Sequence, residues 1–251
     1  MLLINDLSKS FGGITALKNL DLKVNTGEVV GLIGPNGSGK TTTINLVTGI
    51  YASDSGSVIL DGRHITNQAA NKITRAGMAR TFQNLRIFER LTVKENIMVA
   101  QNIFNSSLLE SLNLLQKKKQ QEYLIETDEL LKKFNLILVK NSKAGSLSYG
   151  EKKRLEMARA LAMRPKILLL DEPAAGMSPP ELDWLKETIN DLRSSGLAIL
   201  LIEHHMRLVM GVCDRIYVLN FGNKIAEGTP SSISKDPEVI TAYLGRENSS
   251  A

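Results

Sequence analysis

Gly34-Pro35-Asn36-Gly37-Ser38-Gly39-Lys40-Thr41 is the stretch that decides how this chain is read. It satisfies G-x-x-x-x-G-K-[ST] at every fixed position. Glycines let successive backbone N–H groups turn into one concavity, where they cradle phosphate oxygens. Lys40 brings a point charge for the β- and γ-phosphates, and the Thr41 hydroxyl is placed to ligate Mg²⁺. A helix predicted from Thr41 to Thr48, with Thr42 in its first turn, aims the positive end of its dipole at the same anion. Upstream, Glu28-Val29-Val30-Gly31-Leu32-Ile33 reads as a short buried strand. The order strand, loop, helix predicts an α/β fold with a bound nucleoside triphosphate.

Further along, Ile167-Leu168-Leu169-Leu170 is an apolar run ending in Asp171-Glu172-Pro173. It reads as a buried parallel strand, and ligands in open α/β sheets gather at the carboxyl ends of such strands. Asp171 is then expected to face the Mg²⁺ held by Thr41, with Glu172 one residue further on, where a general base holds the attacking water. Ala198-Ile199-Leu200-Leu201-Ile202 repeats the pattern and ends in Glu203-His204-His205, which puts His204 within reach of a γ-phosphate. A guanine-specific Asn-Lys-x-Asp is missing, because Asn223-Lys224-Ile225-Ala226 lacks the Asp.

Together these residues resemble the ATP-binding subunit of an ABC transporter over nearly the whole chain, in the family's motif order. Gly34 to Thr41 corresponds to Walker A. Thr81-Phe82-Gln83-Asn84 looks like the Q-loop, with Gln83 as metal and water ligand, and Leu147-Ser148-Tyr149-Gly150-Glu151 looks like the signature motif. Asp171 and Glu172 match Walker B and the catalytic carboxylate, His204 the switch histidine, and Phe11 the aromatic that stacks on adenine. The resemblance implies a P-loop NTPase core with an N-terminal antiparallel β portion and an inserted α-helical subdomain. It divides the chain into a core at 1–84 and 165–251 and a helical subdomain at 85–164. The signature departs from Leu-Ser-Gly-Gly-Gln at Tyr149 and Glu151, but Ser148 and Gly150 remain, a hydroxyl and a bare backbone at a helix N-terminus. Ala175-Gly176-Met177-Ser178 and His205 also depart from the commonest pattern.

Arg80-Thr81-Phe82-Gln83, Pro173 to Met177, and the ending Gly228-Thr229-Pro230 to Tyr243-Leu244-Gly245 are similar to one subfamily. That subfamily powers importers of branched-chain and other hydrophobic amino acids. It implies ATP and Mg²⁺, a second ATPase subunit (identical or paralogous), integral membrane permease subunits, a periplasmic or extracellular solute-binding protein, and a peripheral place on the cytoplasmic face of the inner membrane. The alternatives are an envelope-lipid or lipopolysaccharide export ATPase, and a soluble ABC-type ATPase acting on nucleic acid or ribosomes. The second of these relatives carries long coiled coils or paired ATPase units, and this chain has neither.

Composition agrees with an ordinary globular protein: 251 residues, 43% hydrophobic and 23% charged. No apolar run approaches the roughly 18 residues of a membrane span. Met1 to Asp6 reads as a first strand without the features of a secretory leader, and the single cysteine, Cys213, leaves no internal disulfide. The net charge of +5 gathers at Lys117-Lys118-Lys119, Lys132-Lys133 and Lys152-Lys153-Arg154. Beside Glu122, Glu126 and Glu156 these read as solvated helix faces, so no nucleic-acid partner is expected. The chain to about Leu60 reads as β-rich, with turns at Gly12-Gly13 and Asn25-Thr26-Gly27. From Leu85 to Arg164 it reads as mostly helical, and α/β alternation resumes from Lys166.

Overall fold

The computed structural model describes residues 1–83, 85–101 and 114–244, with 114–120 and 244 as backbone alone. Asn84, Gly245 and the Lys117 to Lys119 side chains lie outside the described residues. The chain divides into two compact units, Met1–Arg80 with Lys166–Ala251, and Thr81–Pro165.

The first unit contains two sheets. Strands β1 (Leu2–Phe11) and β2 (Ile14–Val24) form a long antiparallel hairpin. Its turn is Gly12-Gly13, at φ +52° and +85°, a left-handed path that glycine takes without steric cost. β4 (Ser55–Leu60) lies on the other side of β1, and β5 (Arg63–His64) completes the order β2-β1-β4-β5. Alternation along these strands sends Leu2, Ile4, Leu20, Leu22, Val58 and Leu60 into a shared core. The strands run further than the sequence suggests, and Phe11 ends β1 at the hairpin tip.

The second sheet has the order β10-β9-β3-β8-β7-β6. Its members are β3 (Val29–Ile33), β6 (Met78–Arg80), β7 (Ile167–Asp171), β8 (Ala198–Ile202), β9 (Arg215–Asn220) and β10 (Asn223–Gly228). All pairings are parallel except β9 with β10. Every residue of β3, β7 and β8 is buried, the continuous apolar pattern of parallel strands covered on both faces. Register sets Asp171 opposite Ile202 and Leu32 opposite Ile202, so β3, β7 and β8 end side by side.

Helices α1 (Lys40–Val47), α2 (Ala70–Ala76), α6 (Pro179–Ser194), α7 (Met206–Val212), α8 (Pro230–Ile233) and α9 (Pro237–Leu244) complete this unit. α6 starts where its sequence says it should. Ser178 caps it, Pro179 takes the first turn, and the Ser178 N–H donates to Glu181 Oε2 at 2.8 Å. Its face at Leu185, Ile189 and Leu192 is buried.

The second unit is helical: α3 (Val93–Gln101), α4 (Leu114–Lys133), short 3₁₀ turns at Ile137–Val139 and Ala144–Ser146, and α5 (Tyr149–Ala162). Val93, Ile97, Leu131, Phe134 and Leu155 are fully buried in it. One expectation is corrected here. Lys153 and Glu156 do not lie on a solvated face; they are 3% and 5% exposed. Glu156 Oε1 accepts the Phe82 N–H at 3.1 Å, so α5 uses a buried carboxylate to hold a loop backbone. Burial pushes the Glu156 carboxyl above its ordinary range, opposed by that N–H.

Candidate functional site

The loop between β3 and α1 has the backbone of a candidate phosphate cradle. Gly34 cannot be replaced: a Cβ there would lie 2.1 Å from the Leu219 carbonyl oxygen and 2.6 Å from Ser38 Oγ, at φ +150°. Gly37, at φ +78°, would instead point a Cβ into open space, where a ligand can approach the backbone. Pro35, Ser38, Gly39 and Lys40 are buried, whereas Asn36, Gly37 and Thr41 are exposed and Thr42 is half-buried. Lys40 Nζ donates to the Gly34 and Pro35 carbonyls at 2.7 and 3.0 Å, which holds the ammonium inside the loop. Ser38 Oγ is buried with no hydrogen-bond partner among the described residues, a polar atom suited to an oxygen from a ligand. The turn between β9 and β10 fastens the loop from behind, since the Gly222 N–H donates to the Ser38 carbonyl at 2.9 Å.

The ends of β7 and β8 stand beside it. Asp171 closes β7, and its Oδ2 lies 2.7 Å from the Arg80 guanidinium at the end of β6, both side chains almost buried. Arg80 also donates to Asn45 Oδ1 on α1 at 2.8 Å. One guanidinium thus joins the end of β7, helix α1 and the strand that precedes Gln83. Glu172 sits at φ +47°, the left-handed region, which costs a non-glycine residue on the order of 1–3 kcal/mol. Its N–H donates to the Ile202 carbonyl at 2.9 Å. His204 Nδ1 is 3.8 Å from Glu172 Oε1, and the histidine side chain is exposed. The expected base and the expected γ-phosphate donor are therefore neighbours.

Phe11 is 41% exposed. Its ring meets Tyr51 edge to face at 5.3 Å, and Lys9 Nζ lies 5.3 Å from its centroid. Those two contacts position an aromatic face that is free of core packing. At α9, burial pushes the Tyr243 hydroxyl up to about 12, with the Gly34 backbone beside it pulling the other way. Burial, helped by Asp214, pushes the Cys213 thiol up to about 12, so it is an inert core group.

Gln83, Ser148 and Gly150 belong to the second unit. Gln83 is exposed on the stretch after β6. Ser148 caps α5, and Gly150 lies in its first turn. The departure at Glu151 has a structural use: its carboxylate accepts the Ser148 N–H and hydroxyl, each at 2.8 Å, completing a capping box.

Against known proteins, the sequence model of the ABC transporter family matches residues 17–175. The chain belongs to the ABC transporter family. A second model, the branched-chain amino acid ATP-binding cassette transporter, matches residues 223–248. The chain is 44% identical over 246 residues to the high-affinity branched-chain amino acid transport ATP-binding protein BraF of Pseudomonas aeruginosa, covering 96% of each. It is 44% identical over 251 residues to LivG of Escherichia coli, covering 98% of each. The lipopolysaccharide export ATP-binding protein LptB of Escherichia coli is 38% identical over 242 residues, with 96% of each covered. An ATP-binding cassette of an ABC transporter in its ADP conformation superposes with a TM-score of 0.84 at 34% identity, over 98% of each chain. A dimeric cassette in a post-hydrolysis state bound to ADP and Pi gives 0.77 at 25% identity, over 92% of this chain and 99% of that one. The chain is thus an ABC ATPase, and Gly34 to Thr41, Asp171 and His204 lie at or just after the ends of the adjacent parallel strands β3, β7 and β8.

Several contributors were not assigned roles from sequence. They are Arg80, Tyr51, Asn45 and Glu203, none of which stands in a motif that names its role. Their signals are spatial: each acts on a residue distant in sequence, through a contact that no local pattern encodes.

Proposed function

We propose that this ABC ATPase hydrolyses ATP to energise import of branched-chain or other hydrophobic amino acids through separate membrane permease subunits. The observation that carries the substrate class is the near-full-length 44% identity to BraF and LivG, joined by the C-terminal match over 223–248. The lower identity to LptB makes lipopolysaccharide export the second reading.

Adenine stacks on the Phe11 face. The loop amides, Ser38 Oγ and Lys40 take the phosphates, and the α1 dipole adds to their pull. Glu172 accepts the proton of the attacking water, and His204 donates to the γ-phosphate. Ser148 and Gly150 act on the nucleotide of a second copy, whether identical or paralogous. Among the described residues no group of three or more His, Cys, Asp or Glu could hold a metal ion. Mg²⁺ fits nonetheless, with Thr41 and Asp171 as oxygen donors and the rest of its shell from phosphate and water. Gln83 keeps the ligand role that the resemblance implies. When bound, the ion neutralises charge on the β- and γ-phosphates.

For the permease contact, the segment Phe82 to Thr92 is the proposed surface. Leu85, Ile87, Phe88 and Leu91 are all at least partly exposed. Buried Asn96 grips the Phe88 backbone from both sides, accepting its N–H at 2.9 Å and donating to its carbonyl at 3.0 Å. The backbone is held while the ring, with Arg159 at 4.7 Å over its face, stays 46% exposed. Such an apolar, rigid patch suits a short cytoplasmic helix of a permease. Among the described residues no helix is long and apolar enough to cross a membrane. The proposal puts the ATPase at the cytoplasmic face of the inner membrane, attached through this contact. Reconstitution in proteoliposomes with its membrane permease subunits and a solute-binding protein tests the reading: leucine-stimulated ATP hydrolysis and uptake are expected. Stimulation by lipopolysaccharide components, with none by hydrophobic amino acids, would overturn the substrate class.

A further inference from the structure

Glu203 follows β8 and is fully buried. Its Oε1 accepts the Ala174 N–H at 2.8 Å. Its Oε2 accepts the His204 and His205 N–H groups at 2.9 and 3.0 Å. One carboxylate therefore collects three backbone donors from two turns, the one after β7 and the one after β8. The Glu172 N–H to Ile202 carbonyl bond continues the pairing of these strands past Asp171, and the Glu203 carboxylate extends the tie beyond it.

The residues so held are the functional ones. Ala174 lies two positions after Glu172, and His204 is the neighbour of Glu203 itself. The 3.8 Å between His204 Nδ1 and Glu172 Oε1 depends on where those two turns sit. Only an acceptor-only side chain of this length serves. A glutamine has one acceptor oxygen, and its NH₂ would face an N–H on one side or the other. An aspartate is a methylene too short to reach both turns.

We propose that Glu203 is a positioning residue, which sets the separation of Glu172 and His204 by tying the turn after β7 to the turn after β8. The inference rests on the catalytic reading of Glu172 and His204. The test is a double-mutant cycle in the full-length protein, with ATPase kinetics and ATP binding by calorimetry. Glu203→Gln is expected to lower kcat by roughly 10- to 100-fold, the scale of a catalytic group misplaced by up to 1 Å. The ATP dissociation constant should stay within about twofold, because the phosphate loop is untouched. In a His204→Ala background the same change should cost less than about twofold, since the separation it sets then has no consequence. A general loss of stability would instead multiply with His204→Ala. Multiplying losses, or near-normal turnover of Glu203→Gln beside a slow His204→Ala, overturn the tie alone. Near-normal turnover of His204→Ala overturns the catalytic reading, and the inference with it. Should Glu203→Gln not fold, Glu203→Asp keeps the charge, and the same cycle applies with the same expected outcomes.

Discussion

Removing Arg80 tests how the buried Asp171 carboxylate at the end of β7 is held. In Arg80→Met the side chain keeps much of its volume but loses the 2.7 Å contact with Asp171 and the 2.8 Å bond to Asn45. The two charged side chains are 9% and 7% exposed, so the aspartate would be left in low dielectric without its guanidinium partner. Breaking one side of such a buried pair costs roughly 3–5 kcal/mol, against at most about 1 kcal/mol for an exposed pair. For a protein of this size each kcal/mol lowers Tm by about 2–4 °C, so the fall should be about 6–20 °C by calorimetry or circular dichroism. Adding Asp171→Asn should restore much of the loss, because no buried charge then lacks its partner. A Tm fall below about 3 °C would show that solvent reaches the pair and would refute this reasoning. So would a double variant less stable than Arg80→Met.

Three other outcomes are expected. Phe11→Ala should weaken ATP binding by roughly 1–3 kcal/mol with only modest selectivity between ATP and GTP, since a ring face reads no base edge; calorimetry with both nucleotides checks it, and strong discrimination against GTP would point to another reader. Mixing Lys40→Ala chains with Ser148→Arg chains should recover activity that neither has alone, because one composite site of the mixed dimer stays intact. Phe88→Asp should release the ATPase from permease-containing membranes while basal hydrolysis in solution persists; retained co-purification would place the contact elsewhere, and lost thermal cooperativity would mean that Phe88 is core after all.

Much of the candidate phosphate site's backbone was legible because the pattern that builds it is local. A loop that must turn N–H groups inward needs glycines at fixed spacing, and a parallel strand buried on both faces must be a continuous apolar run, so Gly34 to Thr41, Ile167 to Asp171 and Ala198 to Ile202 show themselves in one dimension. The helix start at Ser148 was legible for the same reason. What sequence reading missed depends on pairing across the fold. Lys153 and Glu156 look like a solvated pair by pattern, and only the arrival of the Phe82 N–H explains a buried carboxylate in α5. β10 and β6 are short and mixed in composition; their place comes from neighbours β9 and β7. Arg80 and Glu203 read as ordinary charged residues at strand ends until Asp171 and Ala174 are beside them.

Everything proposed depends on ATP being hydrolysed at the end of β7 with Glu172 as base. The most direct measurement is single-turnover hydrolysis by Glu172→Gln, alongside ATP binding by calorimetry. Binding should stay close to the wild-type value while hydrolysis slows by roughly 10²-fold or more, the scale of a lost general base. Near-normal turnover by a variant that binds ATP normally would contradict that role, and would move the base to another group, with His204 the first to test.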